Sequence, residues 1–236
     1  MPQTNQNFEK ILEALIKRDL EDEEVEKSNR ELLKKAGLKI YRPKKVISID
    51  TGKVIGVENV LKIICREITK DHRFISIEGQ SGTGKGSTAE ALREKLNALK
   101  ISLGEIFRYL THHSKGNVEI DFEEVTSNLE YKYNGKRLQL NHGPDNVSEK
   151  YFIELKSPDL EKHIPKVASK TQKIVIKFVD KEFKKLKKLH NKPIIVEGRA
   201  LALDFLPADI RIKLIAHPKV RAERRMQQEY DKNSPV

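Results

Sequence analysis

The chain has 236 residues, with 46 Lys and Arg against 35 Asp and Glu and a net charge of +11. No apolar run approaches a membrane span, the opening MPQTNQNFEK lacks the apolar core of a signal peptide, and the lone Cys65 cannot form an internal disulfide, a combination that suits a reducing cytoplasm. The charge fits a lysine-rich surface around a site for small polyanions; the run KEFKKLKKLHNK carries too few aromatics for base stacking, so nucleic acid is not expected as a partner.

Phe8, Ile11, Leu12, Leu15 and Ile16 keep helical spacing and predict an opening amphipathic helix, followed by a polar, acidic stretch, RDLEDEEVEKSNR. KKVISID reads as a buried strand, with Val46, Ile47 and Ile49 closed by the turn pair Thr51-Gly52. Val57, Val60, Leu61, Ile64 and Ile68 predict a second helix. RFISIEG is another strand, followed by a Gly-rich turn and a helix over about 87–99. The segment NVEIDFEEVTSNLEYKYNGKRLQLNHGPDN changes character and reads as a small insert, with Asn134-Gly135 predicting a hairpin. A long basic helix over 165–189, the strands PIIVEG and IRIKLIA, and a charged helix complete the order. Strands alternating with helices predict an α/β fold with a parallel sheet.

The strongest chemical signal is EGQSGTGKGST. It fits G-x-x-x-x-G-K from Gly79 to Lys85, with a strand before it and a helix after it. Glycines let successive N–H groups curl toward phosphate oxygens, and the following helix adds its positive end. Gly79, Ser81, Gly82, Thr83, Gly84, Gly86, Ser87 and Thr88 are the expected walls of an ATP site, and Lys85 is the cation on its phosphates. Glu197 sits at the carboxyl end of an apolar strand, where ligands gather in parallel sheets. With Ser87 it is a candidate to organise Mg²⁺, and Arg199 would face a phosphate.

The words FISIEGQSGTGKGS, SLGEIFRYLT, ELKSPDL, IIVEGRA and ADIRIKLIAHPKVRAERR occur in the order found in cytidylate kinases, and the chain resembles that family from Phe74 onward. The resemblance implies a P-loop three-layer α/β/α fold with a five-stranded parallel sheet. It also implies a monomer that transfers the γ-phosphoryl of ATP, with Mg²⁺, to CMP or dCMP. Residues 1–72 resemble the ending that the family carries after its lid, so the chain reads as circularly permuted, with its termini in the lid loop. The implied divisions are 1–72, the displaced last part of the core; 73–115, the phosphate loop and following core; 116–160, the monophosphate-binding insert; and 161–236, the rest of the core and first part of the lid.

By the same resemblance Lys85, Arg18, Asp22 and Arg199 are catalytic, Arg221 and Arg225 close over ATP, and Arg108, Arg199 and Arg30 hold the acceptor. Arg30 falls several residues later than family spacing expects. The acceptor side also departs elsewhere: Leu103 stands where the family has Ser or Thr, Ala200 where it has Asp, Pro165 where it has Ser, and Ile174 near the place of a base-binding Arg, which Lys173 or Lys177 would have to replace. Three readings stay open at this point: a (d)CMP kinase, a P-loop kinase for another small acceptor, and a nucleotide-binding protein without catalysis.

Overall fold

The computed structural model describes the backbone of residues 2–151 and 153–233, and their side chains apart from 2–7, 18, 22, 156, 158 and 228–233. The opening helix, α1 (Pro2–Lys35), absorbs the acidic stretch expected to follow it, so that 34 residues form one rod. No Pro or Gly interrupts residues 3–36, and the i,i+4 pairs Lys17–Glu21 and Glu23–Lys27 lie at 3.8 and 3.0 Å. The rod stops at Gly37: the Leu38 and Gly37 amides donate back to the Leu33 and Lys34 carbonyls at 3.1 and 2.9 Å.

After it come β1 (Lys45–Asp50), α2 (Val57–Glu67), β2 (Phe74–Gly79), α3 (Lys85–Leu96), β3 (Leu99–Ser102) and α4 (Leu103–Ser114). The insert holds α5 (Phe122–Ser127), β4 (Leu129–Tyr133), β5 (Leu138–His142), β6 (Asp145–Asn146), α6 (Val147–Lys150) and α7 (Pro158–Glu161). The chain then forms α8 (Ile164–Leu189), β7 (Ile194–Gly198), α9 (Ala200–Leu203), β8 (Ile210–Ile215) and α10 (Pro218–Asn233).

Five strands make one parallel sheet in the order β1-β8-β2-β7-β3, as the α/β reading predicts. The strand feeding the phosphate loop, β2, is central. β1 is an edge, with Val46 opposite Arg211 and Asp50 opposite Ile215. An edge strand has one neighbour, and Val46, expected to be buried, is 58% exposed. β3 is the strand that the sequence pattern hides. Asn97 adopts a left-handed conformation (φ 49°), and the Ala98 and Asn97 amides close on the Arg93 and Glu94 carbonyls at 2.9 and 3.2 Å. That ends α3 three residues before the expected 99, and Leu99 and Ile101 turn into the core as a short strand.

One sheet face buries Ile75, Ile77, Ile195, Ile210 and Ile212 against α2 and α3. On the other, Leu99, Ile101, Ile194 and Val196 pack with α4, α8 and the insert, whose Phe122, Leu129, Tyr131 and Leu140 share that core. The hairpin expected at Asn134-Gly135 joins β4 to β5, with Tyr133 opposite Leu138, and β6 adds a third antiparallel strand. A buried carboxylate fastens it: Glu182 of α8 accepts from the Tyr131 amide at 2.8 Å. Lys177, Lys181, Lys184 and Lys188 line an open groove on the outer face of α8. Among the described residues no helix is long and apolar enough to cross a membrane.

Candidate active site

The phosphate loop runs from Gly79, the last residue of β2, to the first turn of α3. Gly82 has φ +82°, and a Cβ there would lie 2.9 Å from the Arg221 Cβ, so the loop is moulded on α10 by the absence of a side chain. Thr83 is buried and its hydroxyl donates to the Gln80 carbonyl at 2.8 Å. Gly84 is the N-cap of α3 and no side chain caps it. The first-turn amides, including those of Gly86 and Ser87, are therefore left for an anion, while Thr88 begins the helical bonding with its amide 2.9 Å from the Gly84 carbonyl.

Lys85 opens α3. Burial pushes its ammonium below the usual lysine range; Glu197 opposes that shift, and Arg199, Arg108 and Arg225 add to it. Those four charges are therefore near enough to act on the lysine, and the excess of positive charge is what a polyphosphate would neutralise. Glu197 lies at the end of β7, buried, and accepts a hydrogen bond from the Ser102 hydroxyl. Arg199 is the residue before α9.

The first part of the chain completes the loop's support. Thr51, just past β1, is buried; its hydroxyl donates to the Thr83 carbonyl at 3.0 Å and accepts from Arg224 at 3.0 Å. Arg224 also reaches the Gly82 carbonyl at 3.1 Å. Arg221, 1% exposed, donates to the Ser81 and Ala216 carbonyls at 3.3 and 3.2 Å and pairs with Asp19 of α1. Arg225 donates to the Ser81 hydroxyl. The i, i+3, i+4 spacing of these arginines puts them on one face of α10 against the loop. Arg221 and Arg224 brace the loop's backbone, and Arg225 stays at its mouth.

A cavity of about 670 Å³ lies between α3, α4 and the insert, lined by Ser102, Glu105, Arg108, Lys100, Arg137 and Ser148 among others. Ser102 caps α4, accepting from the Glu105 amide at 3.3 Å. Burial raises the Glu105 carboxyl above its usual range, and a hydrogen bond to Ser148 opposes this. Leu103 does not face the cavity: it is buried against Gly198, where a Cβ would come within 2.6 Å of it. A hydroxyl is nevertheless present one residue earlier, at Ser102.

Of the residues singled out in the sequence, the structure brings together the phosphate loop, Lys85, Glu197, Arg199, Arg108 and Arg225. Ser87 is exposed at the first turn of α3. Arg30 is placed elsewhere: it pairs with Asp204 just after α9, which also pairs with Arg211, in a charged cluster that fixes α1 to the sheet. Neither Lys173 nor Lys177 lines the cavity beside α4, and Lys177 faces the outer groove of α8. The side chains of Arg18 and Asp22 lie outside those described. Asp19, Thr51, Ser102, Glu105, Glu161 and Arg224 are functional candidates that sequence reasoning missed; only Arg224 has a local signal, its spacing from Arg221 and Arg225.

Mg²⁺ keeps most of its waters and binds through one or two protein oxygens plus phosphates. Glu197 and the Ser87 hydroxyl suit that requirement, and among the described residues there is no cage of three or more metal-ligating side chains that would hold an ion alone.

The cytidylate kinase family model matches residues 75–235. The cytidylate kinase of Fervidobacterium nodosum is 29% identical over 171 residues, covering 70% of this chain and 73% of that protein. A probable cytidylate kinase of Vairimorpha ceranae is 31% identical over 159 residues, 64% of this chain and 69% of its own length. The cytidylate kinase of Mycoplasmopsis synoviae is 32% identical over 170 residues, 66% and 71% respectively.

Proposed function

The chain belongs to the cytidylate kinase family, and on that premise we propose that it transfers the γ-phosphoryl group of ATP to CMP or dCMP. The observation that carries this reading is the amide-lined loop that ends in Lys85, with Arg225 donating to its Ser81 hydroxyl, beside a cavity large enough for a nucleotide that Arg108 lines. An oxygen of the acceptor phosphate attacks the γ-phosphorus, and the bond to the β,γ-bridging oxygen breaks. Such transfers depend on alignment and on neutralising charge, not on a covalent enzyme intermediate. The loop amides and Lys85 hold the donor tail. Arg108 and Arg199 hold the acceptor phosphate, and Arg225 spans the two. Glu197 and Ser87 would hold Mg²⁺, which when bound neutralises donor charge.

Residues 1–72 we read as the family's displaced final segment. The parallel pairing of β1 with β8, the Thr51–Thr83 hydrogen bond and the Asp19–Arg221 pair support that reading, since each joins this segment to the kinase core.

A second reading, a wider or different acceptor range, is favoured by the cavity itself. Ala200, Pro165 and Ile174 replace the base and sugar contacts of the resemblance, whereas Glu105, Lys100 and Arg137 line the space. The test is ADP release with a panel of CMP, dCMP, UMP, AMP, GMP and non-nucleotide phosphates. CMP or dCMP is expected to lead. Binding of ATP with no ADP formed from any acceptor would overturn the kinase reading, and a lead for a different phosphate would replace its acceptor.

A further inference from the structure

Glu161 is the last residue of α7, at the foot of the insert, and its two carboxylate oxygens have different partners. One lies 3.4 Å from Arg108 Nη2, and the other 3.6 Å from Arg225 Nη2. Arg108 comes from α4 and lines the acceptor cavity. Arg225 comes from α10 and donates to Ser81 in the phosphate loop. One carboxylate thus bridges the two arginines that stand on either side of the transfer point. Arg108 is also short of acceptors, since its buried Nε has no hydrogen-bond partner. A guanidinium left partly unsatisfied inside a cavity is poised for an anion.

We propose that Glu161 is a positioning residue that stands in for the acceptor phosphate. Without nucleotide its carboxylate holds Arg108 and Arg225 and screens their repulsion. The incoming monophosphate, a dianion with more acceptor oxygens, displaces it. This rests on the phosphoryl-transfer reading of the same site. Two consequences follow from competition for one pair of cations. The monophosphate binds more weakly than the arginines alone would allow, because part of its binding goes into removing the carboxylate. Once Glu161 has left Arg108 it also loosens from Arg225, which then turns to the donor tail. Acceptor and donor binding are therefore coupled, each tightening the other. Glu197 cannot do this, because it is built into β7 and engaged by Ser102.

Glu161→Gln keeps the side-chain shape and removes the charge. Calorimetry with CMP, and with a non-hydrolysable ATP analogue in the presence and absence of CMP, reads both consequences. The variant is expected to bind CMP roughly threefold to tenfold more tightly, with KM falling in step. The tightening of the ATP analogue by CMP, present in the wild type, is expected to shrink. A purely structural glutamate would give the opposite sign: weaker CMP binding and a lower Tm. Unchanged or weaker CMP binding in a folded variant overturns the inference. Should Glu161→Gln fail to fold, Glu161→Asp, whose shorter stem loosens both contacts, must show the same tightening in smaller measure, and its absence is equally fatal. If the wild type itself neither binds nor phosphorylates CMP or dCMP, the parent reading fails and this one with it. If the wild type does both and only the variant misbehaves, this inference alone falls.

Discussion

The two halves of the site are built by different means. On the proposed reading the donor half is one continuous stretch, Gly79–Thr88, whose backbone amides would do the binding and whose shape follows from glycines at fixed spacing. The proposed acceptor half is an assembly of side chains from α3, β3, α4 and the insert around a cavity. Backbone recognition tolerates wide change elsewhere, because every residue carries the same N–H. Side-chain recognition changes whenever one contributor changes. The departures at Leu103, Pro165 and Ala200 all fall outside the loop, as that contrast would have it.

The contrast can be broken at its strongest point with Lys85→Ala. Loss of this cation is expected to lower kcat by about 10²–10³-fold. Because burial and neighbouring arginines already disfavour the lysine's charge in the folded state, the same change should leave Tm unchanged or raise it. A large drop in Tm alongside the lost ADP release would mean that the lysine is structural. Arg108→Ala acts on the other half: KM for the acceptor is expected to rise about 10–100-fold, corresponding to one or two charge-assisted hydrogen bonds, while KM for ATP moves little. Equal increases for both substrates would erase the division between halves. The smallest effect sharpens the contrast by asking how far the donor half depends on residues 1–72. Thr51→Val removes the hydroxyl between Thr83 and Arg224, and urea unfolding should show a loss of about 1–3 kcal/mol. No loss would mean that this segment rests against the loop without supporting it.

What could be read from the sequence follows the same line. The loop, its flanking strand and helix, and the strand end carrying Glu197 are local patterns, and local patterns survive in a one-dimensional text. The parallel sheet follows from the alternation of strands and helices. β3 was hidden because four residues are too few to show alternation, and because only the backbone reveals that Asn97 leaves the helix. The acidic stretch of α1 looked like a break because it lacks an apolar stripe, yet nothing in it stops a helix. The bridges Ser102–Glu197, Thr51–Thr83 and Arg108–Glu161–Arg225 join residues far apart in the chain, and no spacing rule announces them. Arg30 shows the converse: the resemblance supplied a role, and the fold gives its guanidinium to Asp204.

The edge position of β1 has a consequence for biosynthesis. Among the described residues its one partner in the sheet is β8, and the pair Val46 and Arg211 is separated by 211 − 46 = 165 positions. On a ribosome the strand waits for that many further residues before it can pair. Contacts so distant in sequence form slowly, and unpaired strands invite association with one another. Lys44 and Lys45 at its start and Lys53 beyond its end place like charges on the waiting segment, the kind of guard that keeps a solitary strand from joining a neighbouring nascent chain.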